Sequence, residues 1–67
     1  MAILKVLEIL ASSKISWEDA AQAAVKEASK TVREIRSVNV QNQSAVVVKG
    51  KITEYRLNCK ITFGIDR

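Results

Sequence analysis

The sequence predicts an α+β fold of order β-α-β-β, in which a three-stranded antiparallel sheet wraps a single helix. Three observations predict it. Residues 54–63 alternate polar and apolar without a break, which is the period of a half-buried strand. Ser16 ahead of Trp17-Glu18-Asp19 is a helix start, and an apolar stripe at three- and four-residue steps runs on from it. Lys49-Gly50 sits between two strand-like runs, where a tight reversal is needed.

The first strand is expected from Ile3 to Leu10. Branched aliphatics dominate it and it is short for a helix, although Lys5 and Glu8 do not share one face. Ala11-Ser12-Ser13-Lys14 reads as a polar connection. Ser16 suits the N-cap, where its hydroxyl can accept from the amide of Asp19, and the Asp19 carboxylate is placed to reach back. Ile15 before the cap can pack on Ala20 as a staple. Glu18 and Asp19 at the start, with Lys30, Arg33 and Arg36 towards the end, complement the helix dipole.

The helix is expected to run from Trp17 to about Ile35. Its apolar stripe is Trp17, Ala21, Ala24, Val25, Ala28, Val32 and Ile35. Small residues fill most of that stripe, so a flat sheet can approach it closely. Trp17 reads as an anchor that packs the first turn onto this sheet. Lys26, Lys30 and Arg33 form a basic row on another, solvated face.

The second strand is expected over Val38 to Val48, with Val38, Val40, Val46 and Val48 on one face and a bulge or a locally exposed stretch near Gln43, where Asn42 and Ser44 interrupt it. The third runs from Lys51 to about Ile65. It places Tyr55, Leu57, Cys59, Ile61 and Phe63 on the apolar side, so Cys59 reads as a small core residue and Tyr55 as core or subunit contact. Arg56, Asn58 and Lys60 share its polar side, which either lines a pore or cavity or meets solvent. With the third strand in the middle, every neighbouring pair is antiparallel. That strand would span about 45–50 Å at ~3.3 Å per residue. The helix would span about 27–29 Å at 1.5 Å per residue. The sheet therefore outgrows its helix, and its overhanging apolar face and free edges call for other copies of the chain.

Composition points the same way. The chain has 67 residues, is 48% hydrophobic and 27% charged, and holds one cysteine and no histidine. It is too apolar for a disordered segment, and it lacks the residues for an intrachain disulfide, a cysteine/histidine zinc site or a histidine-based catalytic centre. No enzyme is expected. A domain of this size buries only about 60% of its unfolded surface, which leaves oligomerisation as the common remaining source of buried area. The net charge of +4 comes from basic residues scattered from Lys5 to Arg67 with no dense run, so a nucleic-acid partner is not expected. Lys5 and Glu8 interrupt the apolar opening from Met1 to Leu10. A targeting or membrane segment is not expected either, and a cytoplasmic protein with a reduced thiol fits best.

The order strand, short loop, Ser-Trp-Glu-Asp-Ala-Ala, alanine-rich helix and long hairpin resembles the dodecin family. The resemblance covers residues 1–67 as a single domain. It rests on Glu8-Ile9, on Ser16-Trp17-Glu18-Asp19-Ala20-Ala21, and on Lys51-Ile52-Thr53-Glu54-Tyr55-Arg56 through Lys60-Ile61-Thr62-Phe63. It implies a hollow homododecamer that stores a flavin, FMN or riboflavin, stacked in pairs at subunit contacts and shielded from light-driven side reactions.

By that resemblance the cofactor-binding positions are Ser37, where flavin-binding members carry a tryptophan, and Arg56, where they carry a glutamine. Aromatic stacking is worth roughly 0.5–1.5 kcal/mol beyond area burial, and a serine has no ring face to offer. An arginine can stack or donate but cannot accept a hydrogen bond as a glutamine carbonyl does. The chain looks like the branch with Ser-Trp-Glu and without the flavin tryptophan, in which some members are associated with calcium. The seven carboxylates are dispersed with no Asp-x-Asp ladder, and Glu18-Asp19 reads first as a helix cap. Two expectations follow: a shell holding a small anionic aromatic ligand, or a structural assembly binding cations such as calcium between subunits.

Overall fold

A computed structural model describes residues 3–65 of the chain. It contains β1 (Leu4–Ser13), α1 (Trp17–Ala28), β2 (Ile35–Val48) and β3 (Lys51–Gly64). Met1, Ala2, Asp66 and the basic Arg67 lie outside the described residues. The three strands form one sheet in the order β1-β3-β2, with both ladders antiparallel, as the sequence predicts.

Residues directly opposite one another across a ladder share a face of the sheet. On the helix side β3 places Tyr55, Leu57, Cys59, Ile61 and Phe63, the predicted apolar set. Leu57, Cys59 and Ile61 join Ala20, Ala24 and Ala28 of α1 as the buried core. Ala20, which the predicted stripe omits, is fully buried, so the line in closest contact with the sheet is 20, 24 and 28 at four-residue steps. Leu7, Ile9, Ala11, Val25, Val32 and Ile35 pack around it.

β1 is longer than its aliphatic run. Ala11, Ser12 and Ser13, expected as a connection, pair with Leu57, Arg56 and Tyr55 because β3 is long enough to offer them ladder partners. Ser13 then organises the helix entry. Its Oγ accepts from the amides of Ile15 (2.9 Å) and Ser16 (3.4 Å) and donates to Asp19 Oδ2 (2.7 Å). Ser16 caps α1 as predicted, its Oγ accepting from the Asp19 amide at 3.0 Å. Asp19 does not reach back to Ser16, because its carboxylate is held by Ser13. Ile15 is left 74% exposed and takes no part in the core.

The helix ends at Ala28, seven residues short of the predicted Ile35. Ser29 Oγ donates to the Lys26 carbonyl. The Ala28 carbonyl accepts from the amides of Thr31 and Val32 and from Thr31 Oγ1, which rolls the last turn shut. Glu34 adopts φ 56°, and β2 starts at Ile35. Val32 and Ile35 still reach the core, but from a turn and a strand. The three-residue spacing that imitated a helix is met by a reversal of the chain. Arg33 and Arg36 accordingly do not lie at the helix end, and Lys26 is the basic residue of its last turn.

β2 carries a bulge two residues ahead of Gln43, in the exposed stretch where the sequence predicts an interruption. Between Val40/Cys59 and Asn42/Asn58 the residue Gln41 has no partner, and a second irregularity leaves Arg36 unmatched near the strand start. The Gln41 bulge inverts the alternation that follows. Val38 and Val40 lie opposite Ile61 and Cys59 on the helix side, while Val46 lies opposite Glu54 on the other. The four valines do not share a face; Gln43, Ala45 and Val47 continue the helix side instead. Lys49 (φ 52°) and Gly50 (φ 78°) close the hairpin, both in the left-handed region that a two-residue type I′ turn requires.

The mismatch between sheet and helix is larger than the sequence implies. Twelve helical residues span about 18 Å at 1.5 Å each, against about 46 Å for fourteen strand residues at ~3.3 Å. The chain extends 51 × 19 × 13 Å with a radius of gyration of 13.7 Å, where a compact chain of this length has about 11 Å. Its accessible surface is 5117 Å², against about 4200 Å² for a compact monomer of this mass.

Ser13 holds two amides and one carboxylate at a largely buried position, so Ser13→Ala strands those groups. Chemical unfolding should show a loss of about 1–3 kcal/mol, while Lys14→Ala, on the exposed neighbour, should change stability little.

Candidate functional site

The face of the sheet away from the helix is built from the alternate residues. Across it run rungs such as Val6–Thr62–Ser37, Glu8–Lys60–Asn39, Leu10–Asn58–Asn42 and Ser12–Arg56–Ser44, read from β1 through β3 to β2. The last two rungs and Glu54 line a depression of about 460 Å³. Its polar groups converge because β3 supplies Glu54, Arg56 and Asn58 at two-residue steps, while a serine stands on either side of Arg56. Leu10 forms the apolar rim.

Arg56 lies on the polar strand face that the alternation of β3 predicts, and there it lines this concavity. Asn58 shares that concavity, whereas Lys60 lies outside it, between Glu8 and Asn39. Asn58 Oδ1 is sealed from solvent and accepts no hydrogen bond from the described residues. Its place on the polar face is legible in the alternation of β3. Its burial is not, because that depends on the register that sets Leu10 and Asn42 beside it.

Ser37 is exposed on the same face, opposite Thr62. Thr62 and Arg56 are six residues apart along β3, or about 20 Å at ~3.3 Å per residue. Within one chain the two positions do not meet. A pocket that used both would draw them from different copies.

Trp17 lies on the other side of the sheet. Its indole Nε1 donates to the Ser44 carbonyl at 3.0 Å, and its ring meets Tyr55 edge-on with centroids 4.8 Å apart. Both contacts tie the first turn of α1 to the sheet, which is the anchoring role read from the sequence. Ser44, which the sequence reading treats only as an interruption of β2, supplies the acceptor through its backbone, so no side-chain signal marks it. A second, smaller cavity of about 190 Å³ opens beside the indole. Trp17, Glu18, Ala21, Val40, Gln43 and Leu57 line it.

Cys59 is buried against β1, its Sγ donating to the Ile9 carbonyl at 3.6 Å. Burial pushes its thiol pKa up, the opposite of the shift that activates a nucleophile. Among the described residues no three His, Cys, Asp or Glu side chains come together as a metal-holding group. No helix among them is long and apolar enough to cross a membrane.

The family model described as Dodecin matches residues 3–66. Calcium dodecin of Mycobacterium tuberculosis is 42% identical over 64 residues, covering 94% of this chain and 89% of that protein. A crystal structure of the M. tuberculosis calcium dodecin, described as calcium-chelating with a novel calcium-binding site, superposes with a TM-score of 0.81. It is 37% identical over 96% of this chain and 91% of its own. A variant of Thermus thermophilus dodecin reaches a TM-score of 0.92 over the full length of both chains at 24% identity, a likeness of fold.

Two outcomes test this geometry. Trp17→Phe keeps a ring against Tyr55 but loses the bond to Ser44, so unfolding should show a loss of about 0.5–1.5 kcal/mol. Native Cys59 should react with a thiol reagent at pH 8 far more slowly than the same thiol in the denatured chain, because it is both enclosed and short of thiolate.

Proposed function

Because the chain belongs to the dodecin family, we propose that it works as one protomer of a closed homododecameric shell that holds calcium at its subunit contacts. In this reading the whole chain is a single domain of a cytoplasmic binding and storage particle, not an enzyme. The observation that carries it is the 42% identity to calcium dodecin over 94% of the chain. The likeness to a structure described as having a calcium-binding site supports it, and the excess surface of the isolated protomer supports assembly.

Calcium takes six to eight oxygen ligands at 2.3–2.6 Å. Among the described residues of one chain no three carboxylates come together, and a site at a subunit contact would draw its oxygens from more than one copy. Glu27 is paired with Lys30, Glu34 with Arg36, and Asp19 is held by Ser13. Glu8, Glu18 and Glu54 have no such partner among the described residues and are the carboxylates available for sharing.

A second reading keeps the flavin, FMN or riboflavin, as the small anionic aromatic ligand, with Ser37 and Arg56 of different copies as its binding positions. The observation in its favour is the depression around Arg56. Against it stand the missing ring face at Ser37 and the missing acceptor at Arg56.

Sedimentation should give a particle about twelve times 7.4 kDa in mass; a folded 7.4 kDa monomer in dilute buffer would remove the shell. Dialysis against a chelator should lower the melting temperature and calcium should restore it, with about 2.7 kcal/mol regained at one hundred times Kd. Unchanged melting and no heat of calcium binding would remove the metal. Titration into micromolar FMN should leave flavin fluorescence unquenched, and quenching would turn the reading to the flavin.

A further inference from the structure

Two apolar stripes remain uncovered on the protomer, on opposite edges and opposite faces of the sheet. β1 turns Leu4, Val6 and Leu10 away from the helix, all exposed, with Leu10 at 78%. β2 turns Val38, Val40 and Val47 towards the helix side, yet α1 packs mainly over β1 and β3 and leaves them exposed as well. Beside Val40 lies the 190 Å³ cavity under Trp17.

We propose that Leu10 of one copy seats in the cavity formed by Trp17, Val40, Gln43 and Leu57 of the next, so that successive sheets overlap like shingles. This rests on the assembly proposed above and specifies its contact. The occupant is a second copy of this chain for three reasons. The surface in excess of a compact monomer is about 900 Å², close to the ~800 Å² each partner gives to a stable interface. An outward stripe on one edge and an inward stripe on the other are what overlapping tiles present to each other, which makes the contact heterologous. The register also matches: Leu10 shares its rung with Asn58 and Asn42, and the cavity wall at Val40 and Gln43 brackets that rung. A sideways step across the sheet therefore brings Leu10 over the cavity with no slide along the strands. β1 and β2 run in the same direction, so the overlapping strands stay aligned, a regular mode of sheet packing.

The pairing is tested with Leu10→Cys and Gln43→Cys, singly and together; the native Cys59 is buried. Within one chain the two positions lie two strands apart on opposite faces. That is about 9.5 Å between strand axes, beyond the ~7 Å Cα separation a disulfide spans. Mild oxidation of the double variant should give a ladder of covalent dimers, trimers and longer chains, while each single variant stays monomeric on the same gel. A dimer from Leu10→Cys alone, or no ladder from a double variant that sediments as the parent particle does, would overturn the pairing. If the unaltered protein sediments at 7.4 kDa, the shell falls together with the pairing. As a second readout, Leu10→Ala should shift the emission of Trp17, the sole tryptophan, to the red as water enters its cavity. Unchanged emission overturns the seating of Leu10.

Discussion

The disproportion between a fourteen-residue central strand and a twelve-residue helix governs the rest of the structure. A helix rises 1.5 Å per residue and a strand more than twice that, so similar residue counts produce elements of very different reach. α1 can shield only the middle of the ribbon it lies on. The core is correspondingly thin, with three alanines meeting Leu57, Cys59 and Ile61. Alanines bring the helix close to the sheet, which gives good contact, but they bury little area each. The protomer is thus well defined in its backbone and short of apolar burial.

The helix is held against this long ribbon at both ends. At its start, beside the Ser16 cap, the Ser13–Asp19 bond, the Trp17 bond to Ser44 and the Trp17 ring against Tyr55 connect it to β1, β2 and β3 within one turn. At its finish, Ala28 takes the amides of the reversal and the chain turns into β2. Between these anchors the two faces of the sheet have separate tasks. The helix side carries the core, and the far side carries the polar depression around Arg56 and Asn58. Trp17 packs on the helix side and reaches the other system indirectly, because the carbonyl it holds belongs to Ser44, a wall of that depression.

Most of the fold is legible in the residues. The alternation of β3 gives its apolar set, the order of elements makes its central position a consistent arrangement, and Ser16 gives the helix start. Where the sequence misleads, the cause is local and physical. Val32 and Ile35 keep helical spacing but reach the core from a turn, because the Ser29 and Thr31 hydroxyls compete for the last carbonyls. Ala11 to Ser13 look like a loop and become strand because β3 offers them partners. The site is less legible. Arg56 and Asn58 can be assigned to a polar face, but the concavity needs the register of three strands, and Ser37 lies about 20 Å from Arg56 along the ribbon. A pocket shared between copies leaves no complete pattern in a single chain.

Gln41 shows how little it takes to set the handedness of a surface. Because one unmatched residue swaps front for back in everything downstream, this strand behaves like a text with a reading frame: removing a letter would garble which side is greasy and which is wet. What that segment cannot change is its residue count, because the face taken by each residue after Gln41 depends on it. An insertion harmless in a surface loop would here turn the tail of the hairpin inside out.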